Sequence, residues 1–469
     1  MSVTYKHVGS ASDGESTANY MTTSDEITAR LERIPVSRWH SKARLLLGVA
    51  TFFDAFDALV IAQVLPVLIP LWGLSGEQVG TLIASGYLGQ LIGAVFFGWL
   101  AGKIGRLWAI IIATAIFSTM SIFCGLADSF SSLLIFRFVQ GIGLGGEVPV
   151  AAVYISEIIK AQHRGRFVLL YELIFTIGVF VCGFVGTIVV PHLGWQWMFF
   201  IGAIPIILVP TLKLFLPESP RWLVSHERFQ AANKAMRYIE NKVQKSIGSE
   251  LPPVMPVSVR TAAEGKSSWR DYFSAFYGRR TFVLWLIWFA SYLVYYGLGT
   301  WMPTLYTTLF HLPIAQSLNY ALITNFCGVL AALTCVLTVD LIGRKTIFTI
   351  AFLGSFAAFA LLYLAGVSNL VFFVTVISAC YYFGTLAAFC IYIYTPECYP
   401  TRARTQGMGM ASAWCRVASI LGPYFIGAVV HTGLNNVFLT FGAVCIFVAI
   451  IVIFLAPETK GRVLEEVSP

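Results

Sequence analysis

Apolar residues fill long uninterrupted stretches of this chain, and polar residues gather in the short intervals between them. At about 1.5 Å per helical residue, a run of roughly 20 apolar residues matches the hydrocarbon thickness of a bilayer. Twelve such runs are legible, at roughly 45–71, 79–101, 107–127, 131–157, 167–190, 196–216, 281–309, 316–338, 346–366, 369–395, 406–431 and 434–456. Together they predict an all-α membrane protein of twelve transmembrane helices. Polar stretches divide it into an N-terminal segment (1–44), a six-helix bundle (45–216), a linker with short helices (217–280), a second bundle (281–456) and a tail (457–469).

Composition agrees with the pattern. Of 469 residues, 57% are hydrophobic and only 12% charged, against about 25% in an ordinary soluble chain. The net charge of +8 would suit nucleic acid only if the basic residues clustered on a soluble domain. They are spread over the loops instead, so no nucleic-acid partner is expected; the lipid bilayer is. The nine cysteines lie singly in or beside spans, without metal-ligand spacing, which predicts core packing and neither metal nor cofactor. The first 40 residues are polar and read as no cleavable signal. With no Asn-x-Ser/Thr sequon, a bacterial inner membrane fits best.

Lys and Arg are distributed unevenly. One set of loops carries Lys103 and Arg106, Lys160, Arg164 and Arg166, Arg344 and Lys345, and Arg402 and Arg404; the alternate loops, near 72–78, 128–130, 191–195, 310–315, 367–368 and 432–433, carry none. The positive-inside rule then places both termini in the cytoplasm. The same loops recur across the linker. "AGKIGR" and "TVDLIGRK" match at Gly105/Gly343 (343 − 105 = 238), "SEIIKAQHRGR" and "PECYPTRARTQG" at Glu157/Glu397 (397 − 157 = 240), and "PESPRW" and "PETKGR" at Pro217/Pro457 (457 − 217 = 240). Two copies of one six-span plan with a site between them is a transporter plan.

These loops also make the chain resemble the major facilitator superfamily from about residue 40 to 465. The resemblance implies two pseudo-symmetric six-helix halves and gating by Arg106, Glu157, Arg164, Asp340, Arg344 and Glu397. Chemically, Gly permits the tight turn and Arg can reach a neighbouring carboxylate. One departure stands out: the superfamily's loop usually has Asp where this chain has Gly102, while the second copy keeps Asp340.

Charged residues inside spans are functional candidates because burying them in hydrocarbon is costly. They are Asp54 and Asp57 in the first span, Arg137 and Glu147 in the fourth, Glu172 in the fifth and Arg416 in the eleventh. Depth suggests an Asp57–Arg137 pair, with Asp54 the more readily protonated acid; a permanent structural ion pair is the alternative. "DAFD" followed by "RFVQGIGLGGE" is similar to bacterial aromatic-acid/proton symporters, which implies proton coupling by Asp54, Asp57 and Arg137. Glu147 is expected either to take protons or to bond across a helix interface. Its glycine-rich run resembles the branch of niacin permeases and vesicle and organic-ion transporters, whose organic-anion members carry a basic residue at the place of Arg416.

Arg416 presents a planar fork suited to a carboxylate, and aromatics crowd the same depth. Tyr292, Tyr295, Tyr296 and Trp301 in the seventh span and Tyr381, Tyr382, Phe389 and Tyr392 in the tenth suggest a flat aromatic ligand, with Asn325 offering an amide. The reading is a monomeric secondary transporter importing a small organic anion, nicotinate, with protons. A hydroxybenzoate-like acid is the alternative substrate, and a non-transporting receptor the alternative class. No nucleophile–base pair points to an enzyme.

Overall fold

Backbone amides in hydrocarbon must be satisfied within their own segment, and the apolar runs accordingly fold as helices. The computed structural model describes residues 23–159, 164–254, 272–274, 276–367, 369–399, 401–430 and 433–460, with the side chains of 23–25, 164–172 and 401–406 left aside. No strand occurs among the described residues. The expectation on Arg164, and the side chains of Glu172, Arg402 and Arg404, fall outside them.

After a short helix α1 (Thr23–Arg33), the first half comprises α2 (Arg38–Trp72), α3 (Gly76–Ile104), α4 (Arg106–Gly125), α5 (Phe130–Ile158), α6 (Arg164–Leu193) and a broken sixth crossing. That crossing was expected as one helix. It is instead α7 (Gln196–Gly202), a 3-10 turn (Ile204–Ile207) and α8 (Leu208–Phe215), interrupted at Pro205, which has no N–H to give. The linker forms α9 (Pro220–Ser225) and α10 (Phe229–Ile247). The second half comprises α11 (Tyr277–Phe310), α12 (Ile314–Ile342), α13 (Arg344–Ala365), α14 (Leu370–Cys398), α15 (Thr401–Val429) and α16 (Asn435–Leu455). Eleven segments among the described residues are long and apolar enough to cross a membrane. The twelfth expected is α15, which is 29 residues long but carries Arg416 among small and polar residues.

Small residues set the packing inside the first half. A Cβ at Gly89, Gly93, Gly141 or Gly145 would collide with backbone across the α3–α5 contact, so those two helices touch main chain to main chain. Between halves, α3 and α15 meet at the face opposite the termini. There Gly80 faces the backbone of Pro423 and Tyr424, and Gly427 faces Gly76.

On the terminus-bearing face, the polar N-terminal segment is more organised than its composition implied. Arg30 and Arg33 of α1 both pair with Glu240 of α10, each at 2.6 Å, Arg30 also donates to Asn233 at 2.7 Å, and Arg221 reaches Glu32 at 3.3 Å. Burial pushes the Glu240 carboxyl up, but the two guanidiniums outweigh burial and hold it below its ordinary value.

Candidate substrate cavity

The first span carries Pro66 and Pro70 within its helix and presents Asp54 and Ala58, from its middle, to the space between the halves. Between the halves lies a cavity of about 830 Å³, mouth included. From the first half it is lined by Asp54, Ala58, Gln90, Val148, Phe175 and Thr176; from the second by Tyr292, Tyr295, Tyr296, Thr385, Ala388, Phe389, Tyr392, Cys415 and Arg416.

The lining follows the internal repeat. Asp54 corresponds to Tyr292 and Ala58 to Tyr296 (offset 292 − 54 = 238); Val148 to Ala388, Phe175 to Cys415 and Thr176 to Arg416 (offset 416 − 176 = 240). At most of the shared positions the halves supply different chemistry. The first half gives an acid where the second gives a ring, and a hydroxyl where the second gives a guanidinium.

Arg416 is half-buried, and its Nη1 donates to the Gln90 amide oxygen across the interface. Asp54, buried on the same wall, acts on Arg416 electrostatically. The rings form a graded stack. Trp288 and Tyr292 lie 5.5 Å apart at 7°, Tyr292 and Tyr296 lie 5.6 Å apart at 25°, and the Tyr292 hydroxyl donates to that of Tyr392 at 3.0 Å. A flat ligand placed here has ring faces to stack on and a cation at its edge.

Three expected contacts lie elsewhere. The Trp301 indole N–H donates to the Pro423 carbonyl at 3.0 Å, within the packing of the second half. Tyr382 donates to Thr334 at 2.9 Å. Asn325 lies on α12 against Gly183 of α6. None of the three lines the cavity. Gln90, Phe175, Thr176 and Thr385 do, and sequence reasoning passed over them; the repeat offset applied to Arg416 would have found Thr176.

The expected Asp57–Arg137 pairing is corrected in detail. Asp57 is fully buried, and its Oδ2 accepts from Ser121 at 2.6 Å and from the Gln140 amide at 3.2 Å. Arg137 donates instead to the Asp57 backbone carbonyl at 3.0 Å and to the Gln140 oxygen at 2.8 Å. The acid and the base thus share Gln140 without a direct carboxylate–guanidinium contact, because the Asp57 side chain is directed to α4 while its carbonyl faces Arg137. Glu147 is buried in the α2–α5 interface and accepts from Thr51 at 3.2 Å. It does not line the cavity.

The loop charges assemble within each half. Arg106 pairs with Glu157 and Arg344 with Glu397, each at 3.0 Å. The Asp340–Arg344 pair, 2.9 Å, has no equivalent at Gly102, whose carbonyl accepts the Trp222 indole N–H at 2.9 Å. Each site carries a further acid. Glu218 accepts from the amides of Arg106 and Leu107, and Glu458 from those of Arg344 and Lys345. These carboxylates cap α4 and α13 at their positive ends, and Gly105 and Gly343 adopt φ of 110° and 91° beside them. Burial pushes the Glu218 carboxyl up against the amides that stabilise its charge.

The sugar (and other) transporter family matches residues 19–469. The chain belongs to that family. It is similar to the niacin transporter NiaP of Acinetobacter baylyi, at 33% identity over 448 residues, covering 94% of this chain and 100% of that protein. The synaptic vesicle 2-related protein of Xenopus laevis is 27% identical, covering 93% of this chain and 82% of that one. Among solved structures, the E. coli xylose transporter XylE shares the fold. Its inward-open form gives a TM-score of 0.69 at 20% identity over 91% of this chain and 99% of that one. Its partially occluded inward-open form gives 0.70 at 20% identity over 91% and 100%. The family member described here is a multi-span transporter of the major facilitator superfamily, built as the two-half plan expected.

Proposed function

We propose that this transporter imports a small aromatic carboxylate, nicotinate, with protons, by alternating access between its two halves. The observation that carries the reading is Arg416 facing a cavity walled by Tyr292, Tyr295, Tyr296 and Tyr392. A guanidinium beside stacked rings matches a ring bearing one carboxylate, and the similarity to a niacin transporter supports that substrate. A ring hydroxyl would also find partners in the Tyr292–Tyr392 pair, which keeps hydroxybenzoate-type acids as the second reading. The transporter works as a monomer in the bacterial inner membrane with both termini and the linker in the cytoplasm. Asp54, at the cavity wall, takes the proton; Asp57, Arg137, Gln140 and Glu147 tune the first half around it. The Arg106 and Arg344 clusters gate the cytoplasmic face.

Uptake of labelled nicotinate by proteoliposomes with an imposed inward proton gradient tests this. Accumulation that collapses with an uncoupler is expected, with nicotinate competed by excess nicotinate and little by nicotinamide. Binding without accumulation would support a receptor instead, and preference for hydroxybenzoate would move the substrate to the second reading.

A further inference from the structure

Gln90 occupies a place the repeat does not duplicate. Its counterpart in the second half is Gly328 (328 − 90 = 238), which has no side chain to extend. The Gln90 main chain is pinned, because a Cβ at Gly145 would strike its carbonyl oxygen and one at Gly141 would come within 3.1 Å of its amide nitrogen. From that fixed point its side chain, buried at 3% exposure, presents an amide oxygen to Arg416 across the halves. An amide oxygen and a carboxylate oxygen are equivalent acceptors in direction, but the carboxylate is charged, can accept two parallel N–H bonds and binds the guanidinium more strongly.

We propose that Gln90 is the positioning residue of the empty carrier: its amide oxygen stands on Arg416 where one oxygen of the substrate carboxylate binds, and arrival of substrate displaces it. The proposal rests on the reading of a carboxylate at Arg416. Two consequences follow from the chemistry. While the cavity is empty, Gln90 satisfies a guanidinium donor that would be costly to leave unpartnered away from water, so the carrier can return without cargo. When substrate binds, it competes with Gln90 and loosens a contact between the halves at the moment of loading.

Reconstituted carrier tests this with nicotinate as ligand. Gln90→Leu removes the competitor and the placeholder together. It is expected to bind nicotinate about three- to ten-fold more tightly and to slow net accumulation, which requires the empty return. Exchange of external for internal nicotinate needs no reorientation of the unloaded carrier, and it is expected to be slowed much less than net accumulation. Gln90→Glu fixes a carboxylate beside Arg416 and is expected to weaken nicotinate binding at least about ten-fold. If the leucine variant does not fold, Gln90→Asn, too short to reach, is expected to behave in its place.

Weaker nicotinate binding in the Leu or Asn variant, or exchange slowed as much as net uptake, would overturn the proposal, because a direct ligand or a purely structural residue would do that. So would unchanged binding in Gln90→Glu. The substrate reading fails by a different result: Arg416→Gln that binds nicotinate as the wild type does. Loss of binding in Arg416→Gln alongside unaffected Gln90 variants sinks only the placeholder.

Discussion

A guanidinium enclosed by tyrosines sorts ligands by charge before it sorts them by shape. Removing one member of a buried, hydrogen-bonded charge contact costs about 2–5 kcal/mol, so Arg416→Gln should weaken nicotinate binding at least about ten-fold. The uncharged amide should lose much less, and calorimetry with both ligands reads the difference. On the proposed reading, carrying an anion inward against a negative interior costs about 2.3 kcal/mol per 100 mV, and a proton bound reversibly and carried with it offsets that cost. Asp54→Asn should therefore abolish proton-driven accumulation while sparing exchange at equal pH, and Asp57→Asn should do the same through the network around Gln140. Flux assays with and without a pH gradient separate the two modes. At this scale the sequence was only partly readable. Depth along a helix can be counted, but the side it faces cannot be fixed from depth alone. Tyr292, Tyr295 and Tyr296 fall at i, i+3 and i+4 and share the cavity face; Trp301 lies nine residues beyond Tyr292 (301 − 292 = 9), and at about 100° per residue it points the opposite way. Gln90 escaped notice because a neutral amide in a glycine-rich span raises no alarm comparable to a charge.

Helix ends on the terminus-bearing face are tied by carboxylates. Gly105 has φ 110°, and a Cβ there would overlap the Glu218 carboxylate; Gly105→Ala should combine backbone strain of about 1–3 kcal/mol with loss of the α4 cap, and lower the melting temperature of the purified protein. The dock of α1 on α10 responds to pH through a different acid. Because Arg30 and Arg33 hold the folded-state pKa of Glu240 below its unfolded value, the stabilisation is present above the unfolded value, about 4.3, and disappears as pH falls through the folded one. Glu218 works the other way: its raised pKa means that acidification relieves the cost of burying its charge. The protection of amides 26–33, measured against the intrinsic exchange rate at each pH, should fall as pH drops below the ordinary carboxylate range. Glu240→Gln should show low protection throughout, with little change in protection across the same pH range. Short linker helices were anticipated from the polar segment, whereas the docking of α1 was not, since its partners lie some 200 residues away in the chain and no local pattern announces them.

For the whole molecule, the repeat was a strong sequence signal, because three loop pairs recur at offsets of 238 to 240 residues and those offsets map one half of the cavity onto the other. What the offset could not give was where the halves differ in chemistry within the cavity, as at Asp54 opposite Tyr292 and Thr176 opposite Arg416. Orientation is open to a direct check: a cysteine replacing the exposed Lys245 of α10 should resist a membrane-impermeant maleimide in intact cells and react once the membrane is opened. The two distant caps also bear on how the chain is assembled. In each half the acid that caps the third crossing comes from just after the sixth, Glu218 for α4 and Glu458 for α13, so each bundle is a ring closed by its last-made residue. During synthesis the first ring can close once residue 218 clears the ribosome, before the second bundle is made. The second must wait for residue 458. A chain stopped after residue 456 should therefore contain a protease-resistant first half beside a second half that is cleaved readily, the mark of a protein whose halves mature one after the other.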